Sequence, residues 1–113
     1  MLQKQHRLTK RKEFSYIYKN GQATHSNMLT IVMVKSKKET PKVGFSVSNK
    51  LGNAPVRNKI KRRLREIVRQ KLTIIKPYQN FIIVAKQPIV EASFSDTQKE
   101  MCYILNKGNL IKQ

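Results

Sequence analysis

The sequence has almost no residues of the kind that form covalent or metal-centred sites. Among its 113 residues Cys102 is the one cysteine, so the chain offers neither an internal disulfide nor a cysteine-based metal site. This scarcity predicts a reducing, cytoplasmic compartment. No apolar run approaches the roughly 18 residues of a membrane span. The basic start of the chain is not followed by an apolar segment, so it does not have the pattern of a signal peptide.

Acidic residues are also scarce, which argues against the usual protein nuclease sites. Metal-dependent nucleases hold their ions with clustered carboxylates, whereas the six acids here are scattered: Glu13, Glu39, Glu66, Glu91, Asp96 and Glu100. Only Asp96 and Glu100 have an i,i+4 spacing, and a solvated helix face is the better interpretation of that pair. His6 and His25 are the remaining acid–base candidates, but nothing in the sequence orients either ring. We therefore expect no catalytic residue and no tightly bound cofactor in the chain.

Positive charge is what the sequence has in excess. It contains 24 Lys and Arg, a formal net charge of +18 and a pI near 10.5. Self-repulsion of this size destabilises a compact state unless a polyanion screens it, and a pI above about 9 is typical of nucleic-acid-binding domains. A basic surface kept only for solubility is the alternative, but natural surfaces usually mix both signs of charge.

The length and the hydrophobic patterning predict a single small domain over residues 1–113. Residues 1–12 carry five basic residues and no acid, which predicts a flexible or docked basic arm; residues 1–9 are expected to be flexible. The predicted elements are helix 10–20 capped by Thr9, a short strand 22–25, strands 28–35 and 42–48, helix 55–72, strand 81–85, and a helix capped by Ser95 or Asp96 that ends near residue 105. This order predicts an α/β sandwich with helices laid on a small sheet.

Two neighbouring patterns leave the role of the first helix open. The strand at 42–48 alternates between apolar residues and the small residues Gly44, Ser46 and Ser48. This pattern predicts that the apolar face packs in the core and that the face of small residues forms the floor of a groove. Phe14 and Tyr18 share one face of the first helix. Aromatic rings beside basic groups hold single-stranded nucleic acid, yet this spacing is also that of two ordinary core residues.

Helix 55–72 concentrates the charge. Between Lys50 and Lys76 there are ten basic residues and one acid, Glu66. Its apolar residues form one stripe, and the polar residues beside that stripe are Arg57, Asn58, Lys61, Arg62, Arg65 and Arg69, with Lys59 and Arg63 on the far side. A solvated helix face would carry compensating Glu residues at i,i+4, whereas guanidinium groups offer planar donors for phosphate. A DNA-reading helix-turn-helix needs two helices joined by a tight turn, which is absent before this helix, so the pattern favours RNA.

These residues resemble the protein component of bacterial ribonuclease P over about residues 7–110. The similarity is carried by Arg7-Leu8, Lys10, Glu13-Phe14, Ile17-Tyr18 and Gly21, by Val43 to Ser48 with Lys50 and Gly52-Asn53-Ala54, by Arg57 to Arg62, and by Phe81 to Lys86 with Pro88. The resemblance implies a ribosomal-protein-S5-domain-2-like sandwich with a left-handed βαβ crossover. That handedness is contrary to the general rule for parallel crossovers.

The resemblance also implies partners and site residues. The partners would be a catalytic RNA that performs magnesium-dependent cleavage and precursor tRNA, with Mg²⁺ held mainly by RNA, no membrane and no obligate protein partner. The protein would bind the 5′ leader and strengthen substrate and metal affinity. The RNA-contacting residues would be Lys50, Asn53, Arg57, Asn58, Lys59, Lys61, Arg62 and Arg65. The leader-binding cleft would contain Arg11, Phe14, Tyr18, Ser46 and Ser48. The resemblance therefore favours a place in this cleft, and not in the core, for the rings of Phe14 and Tyr18.

Three positions depart from the family pattern. Lys59 stands where Arg is frequent, Pro55 where Val is common, and Val32 where some relatives place a cleft aromatic, which puts one stacking contact in doubt. A structural RNA-binding protein, such as a ribosomal protein, is the rival hypothesis. Charge does not separate the two, but the cleft does, because a structural binder has no need to hold a single-stranded leader. A membrane-surface binder would need its apolar stripe free for lipid, whereas this stripe should be buried.

Overall fold

The computed structural model describes residues 2–112, which form three α-helices and a four-stranded mixed sheet. The elements are α1 (Arg11–Asn20), β1 (Gln22–His25), β2 (Leu29–Lys35), β3 (Lys42–Ser46), α2 (Ala54–Lys71), β4 (Gln79–Ala85) and α3 (Phe94–Lys107). Short 3₁₀ turns lie at Lys4–His6, Asn49–Leu51 and Gln87–Glu91. No helix in this part of the chain is long and apolar enough to cross a membrane.

The strands do not lie in sequence order. The sheet order is β1-β2-β4-β3, in which β4 pairs antiparallel with β2 and parallel with β3. At the centre of the sheet Ile83 is the partner of both Ile31 and Phe45. The β3–α2–β4 segment is therefore a parallel crossover, and the predicted sandwich of helices on a small sheet is confirmed. The left-handed sense of the crossover stays a prediction.

Strand β4 supplies side chains to both faces of the sheet. Phe81 and Ile83 join the larger core under α2 and α3, whereas Ile82 joins a smaller core under α1 with Ile17. Phe81, Ile82 and Ile83 are each 0 % exposed. A strand that is buried on both sides has a continuous apolar sequence instead of an alternating one. The sheet therefore separates α1 from the basic helix α2.

The amino-terminal segment is docked, so the expectation that residues 1–9 are flexible is wrong for residues 2–9. Leu2 is 1 % exposed and belongs to the larger core, and Leu8 is 7 % exposed beneath α1. Arg7 forms a parallel bridge with Val43, and the Leu8 N–H donates to the Val43 carbonyl at 3.0 Å. The burial of two leucines holds the segment along the edge of β3, although its composition is polar and basic.

Most predicted ends of elements differ from the structure by one or two residues, and three of these differences involve a cap or a turn. Helix α1 begins at Arg11 with Lys10 as its N-cap, not Thr9, because the Glu13 carboxylate accepts the backbone N–H groups of both Lys10 and Thr9. Strand β3 ends at Ser46 instead of residue 48. The last helix is capped by the Ser93 hydroxyl, which accepts the Asp96 N–H at 3.0 Å, so neither Ser95 nor Asp96 is its cap.

Two hydrogen bonds from side chains hold the turn between β1 and β2. The Glu100 carboxylate of α3 accepts the Met28 N–H at 2.9 Å, and the Lys86 ammonium donates to the Ser26 carbonyl at 2.6 Å. Hydrogen bonding from the Ser26 side chain, followed by the backbone N–H groups of Met28 and Asn27, holds the pKa of Glu100 below its ordinary value of 4.5.

We expect Glu100→Gln to lower the free energy of unfolding at pH 7 by less than about 1 kcal/mol, since the carboxylate is only half-buried. Because the pKa is lowered in the folded state, this stabilisation is fully present above pH 4.5 and is lost as the pH falls through the folded value. Urea unfolding at a series of pH values measures it, with Glu91→Gln as the charge-matched control at an exposed acid. A difference between wild type and Glu100→Gln that persists unchanged in strong acid would contradict this account.

Candidate nucleic-acid interface

Helix α2 is held by its apolar stripe and capped by its own loop. Ile60, Leu64, Ile67 and Val68 are all buried against the sheet and α3. The Asn53 side chain accepts the Val56 N–H at 3.3 Å, which satisfies one of the free donors in the first helical turn. The helix therefore has a fixed rotation about its axis, and this rotation decides which basic side chains reach solvent.

One side of α2 presents a row of cations beside β3. We call Arg57, Asn58, Lys61, Arg62 and Arg65 the cationic flank. Arg57, Lys61 and Arg65 are half-buried at the margin of the stripe, and Asn58 and Arg62 are exposed farther out. All five were predicted from the helical spacing, and the structure places them along one side of the helix.

Two arginines of the cationic flank are oriented by neighbouring groups. Arg57 Nε donates to the Gly52 carbonyl at 3.2 Å. The Arg65 guanidinium carbon lies 6.0 Å from the centroid of the Phe45 ring, within the range of a cation–π contact. Arg65 Nε is buried without a hydrogen-bond partner in residues 2–112. Such orientation reduces the side-chain entropy that is lost when a phosphate binds.

The loop before α2 extends the same surface. Lys50 is exposed in the 3₁₀ turn Asn49–Leu51, and Ser48 caps that turn by accepting the Lys50 N–H at 3.2 Å. Gly52 has φ +150°, and a Cβ there would lie 2.9 Å from Val56 Cγ1, so this position requires glycine. Lys50 and Asn53 are thus brought to the amino-terminal end of the cationic flank, as predicted from the sequence.

The far side of α2 has a different environment. Lys59 and Arg63 line a cavity of about 370 Å³ between α2 and the turn Gln87–Glu91. Arg63 Nη1 donates to the Ala92 carbonyl at 3.1 Å. Lys59, which the resemblance assigns to the RNA-contacting set, therefore does not lie with the cationic flank, and its role stays a prediction.

The last turn of α2 is partly neutralised. Arg69 Nε donates to Glu66 Oε1 at 3.0 Å, and this hydrogen bonding lowers the pKa of Glu66 and raises that of Arg69. Arg69 therefore shares its charge with a carboxylate, whereas within residues 2–112 the cations in the first three turns of α2 form no ion pair. The excess positive potential lies at the amino-terminal half of the helix.

On the opposite face of the sheet, Phe14 lies over Gly44. A Cβ at position 44 would be 2.6 Å from Phe14 Cε1 and Cζ, so the ring occupies the space that glycine leaves. Tyr18, one turn farther along α1, is 49 % exposed. Phe14 is half-buried and packs against the small core, so the packing role that the sequence left open is present, and its part in a leader-binding cleft stays a prediction. Arg11 is exposed at the start of α1.

A row of side chains in which Val84 lies between polar residues crosses the sheet beside these rings. Ser46 pairs with Val84 and Val84 with Thr30, so the three lie side by side on β3, β4 and β2. His25 extends the row onto β1, with its Nδ1 3.0 Å from Thr30 Oγ1. Of this row only Ser46 was predicted as a cleft residue, because strand pairing, not sequence spacing, brings Thr30, Val84 and His25 beside it. Ser48 lies beyond the end of β3 and is exposed.

The described residues offer no cluster for a metal ion. Within residues 2–112 no group of three or more His, Cys, Asp or Glu side chains is placed to hold one. His6 and His25 are also engaged separately, His6 Nδ1 near the Pro41 carbonyl at 3.4 Å and His25 with Thr30. The described residues thus place a cationic flank along α2 and the Phe14 and Tyr18 rings on α1, at the opposite face of the sheet.

Comparison with known proteins finds the same fold and sequence pattern. A family model described as Ribonuclease P matches residues 2–109. The ribonuclease P protein component of Bacillus velezensis is 34 % identical over 113 residues, covering 99 % of this chain and 97 % of the relative. The structure of the Staphylococcus aureus RNase P protein superposes with a TM-score of 0.90 at 30 % identity, covering 95 % of this chain and 98 % of that one. The RNase P protein from Thermotoga maritima shares the fold, with a TM-score of 0.83 at 24 % identity over 89 % of this chain and 96 % of that one.

Proposed function

Since the chain belongs to the ribonuclease P protein family, with a role in tRNA processing, we propose that it binds the catalytic RNA and the 5′ leader of precursor tRNA and strengthens substrate and Mg²⁺ affinity. It is an accessory subunit of an endoribonuclease. In this proposal the RNA breaks the phosphodiester bond, and the complex works in the cytoplasm.

The observation that carries this proposal is the cationic flank. Its cations project from a helix that is fixed by its buried apolar stripe, and the nearest acid on α2, Glu66, is bonded to Arg69 one turn beyond them. A ribose-phosphate chain would lie along this flank because each step of it brings a further phosphate within reach of a guanidinium or ammonium group. The Asn58 amide adds a group that both donates and accepts, which suits a 2′-hydroxyl.

The carboxylates of the chain support the assignment of catalysis and magnesium to RNA. Glu13 accepts N–H groups at the start of α1 and lies 4.0 Å from Lys42, Glu66 binds Arg69, and Glu100 holds the β1–β2 turn. These acids have structural partners in three separate parts of the fold. A two-metal nuclease site would need them together, so the residues present fit a chain that assists an ion held by RNA.

The groove beside α1 supports leader binding over a purely structural role. Phe14 and Tyr18 can stack on unpaired bases, and Ser46, Thr30 and His25 provide hydrogen-bonding groups on the floor. Val32, at the position where some relatives have an aromatic ring, is 8 % exposed and packs in the small core. Two rings, rather than three, would therefore contact the leader in this chain.

Reconstitution tests the proposal directly. At low Mg²⁺, adding the chain to a bacterial ribonuclease P RNA should speed leader removal from precursor tRNA by at least about tenfold, equivalent to about 1.4 kcal/mol of the barrier. A basic protein of similar size and charge but different fold is the control for non-specific screening. Cleavage by the chain without any RNA subunit, or an equal effect of the control protein, would contradict the proposal.

A further inference from the structure

Helix α1 borders a second groove on the side away from Phe14 and Tyr18. It consists of three adjoining cavities of about 370, 240 and 320 Å³. The cavities adjoin through shared lining residues, which are Glu13, Tyr16, Val34, Lys35, Ser36 and Asn80. We call this feature the Tyr16 groove. It runs from the start of β1 past β2 to the start of β3 on the same face of the sheet as the proposed leader cleft.

Tyr16 forms a wall of this groove and has no role in the core. Its side chain is 59 % exposed. It precedes Tyr18 by two positions, which is about 200° around a helix, so the two tyrosines lie on opposite sides of α1. The Asn20 amide donates to the Tyr16 carbonyl at 3.0 Å and closes the last turn. Single exposed aromatics are common on protein surfaces, but this one borders two of the three cavities.

The charge around the groove is strongly positive. Its lining contains five lysines and one carboxylate, and the lysines are Lys12, Lys35, Lys37, Lys38 and Lys42. The carboxylate is Glu13, which is already occupied at the amino terminus of α1 and by Lys42. Four lysines are therefore left facing solvent, which attracts a polyanion.

The loop that carries two of these lysines is held in place. The Ser36 N–H donates to the Tyr78 carbonyl at 2.9 Å, and the Tyr78 N–H donates to the Glu39 carbonyl at 3.1 Å. Ser36 Oγ accepts the Lys38 N–H and Asn80 Oδ1 accepts the Lys42 N–H, each at 3.1 Å. The serine hydroxyl and the asparagine NH₂ group therefore retain hydrogens to donate to a ligand.

We propose that the Tyr16 groove is a second binding site for single-stranded RNA, distinct from the cleft lined by Phe14 and Tyr18. The Tyr16 ring stacks on one unpaired base, Asn80 and Ser36 donate to base or sugar oxygens, and Lys35, Lys37 and Lys38 bind successive phosphates. A duplex would not use the ring, because its bases are stacked on one another. This site extends beyond the proposed leader cleft and does not depend on it.

Binding of a fluorescein-labelled, unstructured oligoribonucleotide to the full chain tests the site. Tyr16→Ala should weaken binding about 5- to 10-fold through loss of stacking, and Tyr16→Phe should retain affinity to within about twofold. Tyr103→Ala is the matched control, because Tyr103 is 55 % exposed with the Lys107 ammonium 5.8 Å from its ring, but lies on α3. Lys37→Gln with Lys38→Gln should reduce the log–log salt slope by about 1.4.

A second measurement distinguishes the two possible sources of the single-stranded RNA, the precursor tRNA leader and the ribonuclease P RNA. If the loss of affinity caused by Tyr16→Ala grows with the length of the leader on precursor tRNA, the leader is the ligand. If Tyr16→Ala weakens binding of the ribonuclease P RNA alone, that RNA is the ligand. Either result supports the site. Equal effects of Tyr16→Ala and Tyr103→Ala, or competition by polyglutamate as strong as by the oligoribonucleotide, would overturn it. If the chain fails to speed leader removal on reconstitution, the proposed function is contradicted, whereas the oligoribonucleotide measurement still tests the Tyr16 groove.

Discussion

Replacing both Arg57 and Arg62 by alanine is expected to weaken association with ribonuclease P RNA about 100-fold. A hydrogen bond to a charged group contributes about 1.5–3 kcal/mol, so each arginine accounts for at least about tenfold. The two side chains lie more than one helical turn apart and share no contact that the structure shows, so their effects should add. Filter binding or fluorescence anisotropy at fixed ionic strength measures the loss.

Arg63→Ala is the control for this prediction. Arg63 is on the same helix and carries the same charge, but it faces the cavity beside the turn Gln87–Glu91 and donates to the Ala92 carbonyl. Its removal should leave RNA affinity within about threefold. With six to eight phosphate contacts, a plot of log binding constant against log salt concentration should have a slope of about −4 to −7 for the wild type. For the Arg57→Ala, Arg62→Ala double variant the slope should be less steep by about 1.4 to 1.8, because two phosphate contacts are lost. Equal losses at all three arginines would refute the assignment of RNA to one side of α2.

Phe14→Ala is expected to lower affinity for precursor tRNA about tenfold and to leave affinity for mature tRNA within about twofold. Base–aromatic stacking is worth about 1–3 kcal/mol per base, and only the precursor carries the unpaired leader. The comparison is made with the reconstituted holoenzyme, by competition between labelled precursor and unlabelled mature tRNA.

A second variant separates binding from packing at this position. Phe14 also fills the space over Gly44 and contacts the small core, so its truncation will cost stability. Tyr18 is 49 % exposed on the same side of α1, and Tyr18→Ala should show the same preference for precursor with little change in the melting temperature. Equal weakening of precursor and mature tRNA by both variants would contradict leader stacking.

Most of the elements could be predicted because they depend on local spacing. Ile60, Leu64, Ile67 and Val68 recur at helical intervals, so both the helix and its buried side were correct, and with them the solvent-facing position of Arg62. The short strand at Gln22–His25 was also predicted correctly. Three of the wrong ends, at Lys10, Ser46 and Ser93, are places where a side chain competes for backbone hydrogen bonds, which periodicity does not detect.

Features that depend on contacts between residues far apart in the chain were harder to predict from the sequence. The basic composition of residues 1–9 predicted flexibility, whereas Leu2 and Leu8 dock them, because the burial of two side chains outweighed a polar average. Thr30, Val84 and His25 lie beside Ser46 only through strand pairing, which sequence spacing does not reveal. Helical spacing already separated Lys59 from Arg62, and the tertiary structure added that Lys59 borders a cavity between α2 and the turn Gln87–Glu91.

The amino-acid sequence alone determined that this chain has a basic helix whose cations lie beside one buried apolar stripe, because charge and helical period are local properties that any compact fold must respect. The tertiary structure decided where the grooves lie. Insertion of β4 between β2 and β3 placed Gly44 under Phe14 and aligned Ser46 with Thr30, and docking of α1 on the sheet placed Tyr16 at the cavities beside the starts of β1 and β3. Strand order depends on contacts between distant segments, and these contacts leave no periodic trace in the sequence.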